Sequence, residues 1–145
     1  MIEVKFYDEV NDALLRFAVI ISKKEGKWVF CKHRDRETYE IPGGHREEGE
    51  SILDTAKREL YEETGAVEYN LKPVCVYSVL RKDSFESNDG NESFGMLYFA
   101  DILSFERELH HEIERILITE QLVKDWTYPF IQPKLIEEAQ RRGYL

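Results

Sequence analysis

The sequence predicts an α+β fold, an α/β/α sandwich built on a central mixed β-sheet. Three observations carry this expectation. Strand-like apolar runs outnumber helical segments, the two kinds do not alternate regularly, and two segments hold paired helix start and stop signals.

The first strong strand is LRFAVIIS, residues 15–22. The turn KKEGK follows, and WVFCKHR, residues 28–34, returns as the second arm of a hairpin. TYEIPGG reads as a short strand that stops at Pro42-Gly43-Gly44. A helix is expected over 51–64. Ser51 is a good N-cap, Asp54 is an acid in the first turn, and Gly65 is a natural stop. NLKPVCVYSVLR and FGMLYFADIL read as strands, with the polar loop DSFESNDGNE between them. RILIT is a further strand, and a short helix is expected at 120–125. PKLIEEAQRRG reads as a C-terminal helix, with Pro133 near its start and Gly143 at its end.

Composition narrows the function. The chain has 145 residues and 17.2 kDa, the size of one domain spanning 1–145. Its 20 basic and 29 acidic residues give a net charge of -9, which argues against duplex nucleic acid as a partner. A small anionic substrate stays open, because a bound cation reverses the local sign. Cys31 and Cys75 stand alone, with no CxxC pair, so a cysteine zinc site is not expected and two buried thiols in a reducing compartment are. The N-terminal segment does not read as a signal peptide. The longest apolar run, FAVII, is far short of the roughly 20 residues of a membrane span. A cytoplasmic protein without membrane contact is expected. The oligomeric state is not legible.

The segment EIPGGHREEGESILDTAKRELYEETGA gathers many like charges. On a helix, Glu59, Glu62 and Glu63 stand at i, i+3 and i+4 and share a face. That face overlaps the apolar stripe of Ile52, Leu53, Ala56 and Leu60 rather than opposing it. Like charges at the edge of a core repel more strongly than in water, and burial disfavours their ionised form. A solvated acidic face, the competing reading, fits that placement poorly. A divalent cation supplies the missing partner, and hard carboxylate oxygens suit Mg²⁺ or Mn²⁺. The glycine pair before the helix lets backbone come close to a ligand.

From Gly44 the chain reads five residues, Glu50, seven residues, Arg58-Glu59-Leu60, one residue, Glu62-Glu63, one residue, Gly65 and Ala66. This resembles the Nudix box, G-x5-E-x7-R-E-U-x-E-E-x-G-U, where U is a bulky aliphatic. All seven fixed letters match; Ala66 is smaller than the usual last residue. The resemblance implies a Nudix-type α/β/α sandwich with a central mixed β-sheet. It implies hydrolysis of a nucleoside diphosphate linked to another moiety, with Mg²⁺ or Mn²⁺ as cofactor and a small nucleotide as partner.

Carried over residue by residue, the resemblance makes Glu59, Glu62 and Glu63 metal ligands, joined by the Gly43 carbonyl. Glu59 is also a candidate base toward the attacking water. Arg58 orients the carboxylates, for example through Glu62 one turn on, and Glu50 supports it. A further catalytic glutamate from a later loop is expected at Glu112, with Glu114 as the other candidate; a solvated loop acid is the competing reading. For phosphate contacts CKHRDR supplies Lys32, Arg34 and Arg36, of which Lys32 and Arg34 share a strand face and are, with Gly44, the leading candidates; a solvated strand edge is the competing reading. Tyr39, Phe85, Trp126, Tyr128 and Phe130 are available for base stacking or for the core. The four histidines, His33, His45, His110 and His111, lack ligand spacing and read as surface or loop residues. Past the box, LRKDSFE carries neither the proline of ADP-ribose enzymes nor the tyrosine of dinucleoside polyphosphate enzymes. This leaves a MutT-like nucleoside triphosphate pyrophosphohydrolase as the leading subclass. The alternatives are hydrolysis of another nucleotide diphosphate derivative (ADP-ribose, a dinucleoside polyphosphate or an RNA 5′ end), a non-catalytic nucleotide sensor, and an acidic-helix protein with a structural role.

Overall fold

The computed structural model describes residues 2–81, 91–106 and 113–145. Its strands are β1 (Ile2–Tyr7), β2 (Leu15–Lys24), β3 (Lys27–His33), β4 (Gly43–His45), β5 (Ala66–Arg81), β6 (Asn91–Phe105) and β7 (Ile113–Thr119). Two α-helices, α1 (Ile52–Thr64) and α2 (Gln132–Arg141), join them. The strands form one sheet in the order β1-β5-β6-β2-β3-β7, with β4 on β2. The β2–β6 pair is parallel and the others are antiparallel, so the sheet is mixed as expected. β3 pairs with β2 only near the hairpin, from Ser22 to Lys24. Farther along, β4 takes the same edge of β2, opposite Phe17–Val19.

Alternation along the central strands makes two cores. Val19, Ile21, Trp28 and Phe30 face α2, where Leu135, Ile136 and Ala139 meet them. Ala18, Ile20 and Val29 face α1, where Ala56 and Leu60 meet them. One helix therefore covers each face of the sheet, which is the α/β/α sandwich. Leu60 is fully buried in the second core. Leu60→Ala is expected to cost about 2–5 kcal/mol of stability, read as a lower urea midpoint.

The box helix is closed at both ends by local chemistry. Ser51 Oγ accepts from Asp54 N at 3.1 Å, and Asp54 Oδ2 accepts from Ser51 N at 3.2 Å. Gly65 ends it at φ +77°, a conformation that favours glycine, and donates to Tyr61 O at 2.8 Å.

Four expectations change. Ile2–Tyr7, not assigned from sequence, is an edge strand on β5, with Ile2, Val4 and Phe6 packed on the core. The expected strand over 38–44 does not stop at the glycines. Gly43 and Gly44 are themselves β4, while Tyr39 and Glu40 make isolated bridges. No helix forms at 120–125, because that segment runs into a bridge in which Tyr39 N donates to Asp125 O at 2.8 Å and Thr127 N to Tyr39 O at 2.9 Å. The strands read at 70–81 and 94–103 are longer, at Ala66–Arg81 and Asn91–Phe105. Most of the expected polar loop lies outside the described residues.

α2 carries an ion cluster that links it to Asp8, just after β1. Glu138 accepts from Arg141 Nε at 2.9 Å and Arg142 Nε at 2.8 Å, and Arg142 Nη1 reaches Asp8 at 3.2 Å. The arginines, Arg141 first, hold the Glu138 carboxyl down from 4.5 to about 2. A depressed carboxylate stabilises the fold above its unfolded pKa, and the contribution disappears as pH falls through the folded value. Wild type should exceed Glu138→Gln in stability above about pH 4.5, and the gap should close by about pH 2. Urea unfolding across that range checks it.

Candidate active site

Two elements build the site: the last two turns of α1 and the short strand β4. β4 enters by way of glycine because the space is taken. A Cβ on Gly43 would lie 2.6 Å from the Ala18 carbonyl oxygen, and one on Gly44 would lie 2.4 Å from the Glu59 carboxyl carbon. The Glu59 carboxylate thus rests against bare backbone. Ile20 N donates to Pro42 O at 2.8 Å, and Arg46 N to Arg16 O at 2.7 Å. In the alternating antiparallel ladder this turns the N–H and C=O of Gly43 away from β2. That N–H meets Glu63 Oε1 at 2.7 Å.

Arg58 is the hub of the acidic cluster. Its Nε donates to Glu50 Oε2 at 2.6 Å and its Nη2 to the His45 carbonyl at 2.9 Å. Its Nη1 reaches Glu59 Oε1 at 2.7 Å and Glu62 Oε2 at 3.4 Å. Glu50 also accepts from Thr55 Oγ1 and from Glu47 N, both at 2.9 Å. Arg58 chiefly, with the Glu47 amide, holds the Glu50 carboxyl down at about 2. The guanidinium thus fixes Glu59 through a carboxylate anchor on its far side, as a planar fork permits.

The three glutamates of the shared face differ. Glu63 is buried, the Glu59 side chain is 13% exposed, and the Glu62 side chain is 46% exposed. Burial, then the charge of Glu63, pushes the Glu59 carboxyl up to about 7, against the pull of Arg58. Burial also raises Glu63, opposed by His33 and the Gly43 amide. Their ligand oxygens do not gather as closely as the helical wheel suggests. Among the described residues, the group of three whose ligand atoms lie within 4.8 Å of one another is Cys31, His33 and Glu63.

His33 corrects the sequence reading most sharply. It is not a solvated loop residue: its Nε2 lies 2.8 Å from Glu63 Oε2 and 3.7 Å from Glu40. The Glu63 hydrogen bond raises its pKa, against burial. The available signal was the period of β3. Cys31 and His33 share the face with Val29, which α1 covers.

The cleft beside this cluster has a volume of about 500 Å³. Phe17, Tyr77, Val79, Ile41 and Leu135 give it apolar walls, and Gly43, Gly44 and Glu63 lie at its polar end, with His33 and Arg36. Phe17 and Tyr77, neither singled out from sequence, stand 5.4 Å apart over Gly95, where a Cβ would meet the Phe17 ring at 2.1 Å. Among the described residues, Tyr128 is the one aromatic of the expected set that lines the cleft, beneath the Arg36 guanidinium at 5.9 Å. Trp126 packs edge-on to Phe30, Tyr39 sits under Arg115, Phe130 is exposed, and Phe85 lies outside the described residues.

Of the three cations upstream of the box, the two leading phosphate candidates are not at the cleft and the third, Arg36, is. Lys32 is buried with its ammonium on Glu114, and Arg34 is exposed; Arg36, two residues on, lines the cleft instead. Strand alternation sends Lys32 to the face opposite His33. Glu114 is therefore committed to Lys32, and Glu112 lies outside the described residues, as do His110 and His111.

A sandwich of this topology, with an arginine-organised glutamate cluster set against a glycine strand, matches a known class. The chain belongs to the NUDIX domain family, whose model matches residues 13–140. It is a Nudix hydrolase, a pyrophosphohydrolase of nucleotide diphosphate derivatives. A Bacillus subtilis protein named "Putative 8-oxo-dGTP diphosphatase YtkD" is 31% identical over 152 aligned positions, covering 95% of this chain and 91% of that protein. The solved pyrophosphohydrolase BsRppH of Bacillus subtilis is 25% identical, with a TM-score of 0.78 over 99% of this chain and 92% of its own. A MutT NUDIX hydrolase from Burkholderia pseudomallei shares the fold at 18% identity and a TM-score of 0.65, over 85% and 96%. Hydrolases of this family generally use divalent metals. No helix among the described residues is long and apolar enough to cross a membrane.

Proposed function

We propose that this chain hydrolyses nucleoside triphosphates to a nucleoside monophosphate and pyrophosphate, with Mg²⁺ held by Glu59, Glu62, Glu63 and the Gly43 carbonyl. The observation that carries the reading is the cleft. Its apolar, aromatic walls suit a nucleobase, and Gly43, Gly44 and Glu63 lie at its polar end, with Glu59 seated against Gly44. The donor set fits a hard cation, being carboxylate oxygens beside a backbone carbonyl turned off its ladder. The seat of Glu59, a cradle that a Cβ at Gly44 would fill, fits it as well. When bound, the cation offsets phosphate charge and lowers the pKa of a water.

The chain's own groups do the positioning. Arg58 holds Glu59 and Glu62 in place, anchored by Glu50. His33 and the Gly43 amide fix both oxygens of Glu63. Phe17, Tyr77 and Tyr128 offer faces for base stacking. Arg36 and Gly44 stand where the phosphates would lie, in preference to Lys32 and Arg34, and Glu59 takes a proton from the attacking water. The name of the 31% identical relative places 8-oxo-dGTP in the first substrate panel.

The test is a Mg²⁺-dependent assay over canonical and oxidised nucleoside triphosphates, ADP-ribose, dinucleoside polyphosphates and 5′-triphosphorylated RNA, with product identification. Monophosphate and pyrophosphate from a triphosphate are expected. Turnover confined to another substrate class would overturn the subclass. No turnover across the panel would favour a nucleotide-sensing role.

A further inference from the structure

We propose that Cys31, His33 and Glu63 form a second cation site beside the hard-metal site, selective for thiophilic divalent ions such as Zn²⁺, whose occupancy inhibits the enzyme. The placement follows from the strand. Cys31 and His33 are two residues apart on β3, so both point to the sheet face that α1 covers. Glu63, in the last turn of α1, reaches the same spot. One ligand atom from each lies within 4.8 Å of the other two.

The donor set is the discriminating feature. Sulfur, imidazole nitrogen and one carboxylate oxygen suit Zn²⁺ or Co²⁺ and not Mg²⁺, which prefers oxygen. Tetrahedral zinc with ligands at about 2.0–2.3 Å needs their atoms roughly 3.5 Å apart. The 2.8 Å separation of His33 Nε2 and Glu63 Oε2 must therefore open slightly. Three protein ligands leave the fourth position to water, as in open zinc sites.

The surroundings favour a cation. The Cys31 thiol is buried and feels Glu63, Glu40 and Glu59, opposed by Arg36. His33 and Glu63 line the cleft, which gives the ion its entry path. On binding, the Cys31 thiol and the His33 imidazolium each release one proton to solvent, His33 from Nε2 with its Nδ1 hydrogen kept, and Glu63 Oε2 turns from His33 to the ion. Among the described residues, the Cys31 thiol makes a long donation to the Glu40 carbonyl at 3.5 Å. The inhibitory effect rests on the hydrolase reading, because it withdraws Glu63 from the Mg²⁺ set; the binding itself does not.

Co²⁺ added to the metal-free protein tests binding without reference to activity. A near-ultraviolet thiolate-to-cobalt charge-transfer band that saturates at one thiolate-bound Co²⁺ per chain is expected. The band should vanish in Cys31→Ser and persist in Cys75→Ser, whose thiol packs in the core against α2. Absence of the band in wild type, or its survival in Cys31→Ser, overturns the site. In the Mg²⁺-dependent assay, Cys31→Ser should keep its turnover and need about tenfold more Zn²⁺, or higher still, for equal inhibition. Equal zinc sensitivity of the two proteins overturns the regulatory part. The wild-type spectrum needs no variant to fold, and a chain that binds Co²⁺ through Cys31 yet hydrolyses nothing would sink the proposed activity alone.

Discussion

Glu63→Gln is expected to lower Mg²⁺-dependent turnover by about a thousandfold while the chain still folds. The carboxamide is isosteric, so its oxygen can still accept from the Gly43 amide, now 2.7 Å from Glu63 Oε1. What it loses is a negative oxygen for a cation. A lost ligand charge of this kind removes roughly 4 kcal/mol of transition-state stabilisation, or about 10³ in rate. Far-ultraviolet circular dichroism and a urea curve would show the fold intact, and steady-state kinetics would show the loss. Glu62→Gln acts at a more exposed group that Arg58 reaches at only 3.4 Å. It should also lose activity, with still less effect on stability. Wild-type turnover in both variants would end the assignment of these carboxylates.

The second large effect separates two adjacent glycines. Gly44→Ala places a methyl 2.4 Å from the Glu59 carboxyl carbon, below any real contact. The obstacle is the end of a side chain, so Glu59 swings away and the backbone stays. Activity should fall by roughly 10² or more, with little change in the unfolding midpoint. Gly43→Ala places its methyl 2.6 Å from the Ala18 carbonyl oxygen and 3.0 Å from the Val19 Cα. Those are backbone atoms of a central strand, which cannot step aside. This variant should lose about 1–3 kcal/mol of stability. Kinetics and urea unfolding on the pair settle both, and the reverse pattern would contradict the packing described here.

Legibility differed by element. Ser51, Asp54 and Gly65 marked the box helix because capping is a contract between neighbours in sequence. Arg58 with Glu50 could be guessed from the box, while their 2.6 Å contact and the reach to the His45 carbonyl needed the fold. Ile2–Tyr7 is not legible although Ile2, Val4 and Phe6 alternate, because an edge strand is completed by a partner 71 residues away, as in Phe6 opposite Tyr77 by register. The segment 120–125 has helix-forming residues, yet hydrogen bonds to Tyr39 take its exit into an extended bridge. Local propensity yields where backbone groups find distant partners.

The sequence by itself determined the family, the α/β/α class, the bounds of the box helix and the set of acids it carries. These rest on fixed spacings and on neighbours within a few residues. Only the tertiary structure decided that His33 holds Glu63, that Lys32 is spent on Glu114, that Arg36 takes the cleft, and that Phe17 and Tyr77 wall it over Gly95. Each depends on which face a strand residue shows and which strand lies beside it. A one-residue change of register reverses that face, and distant pairing sets the register.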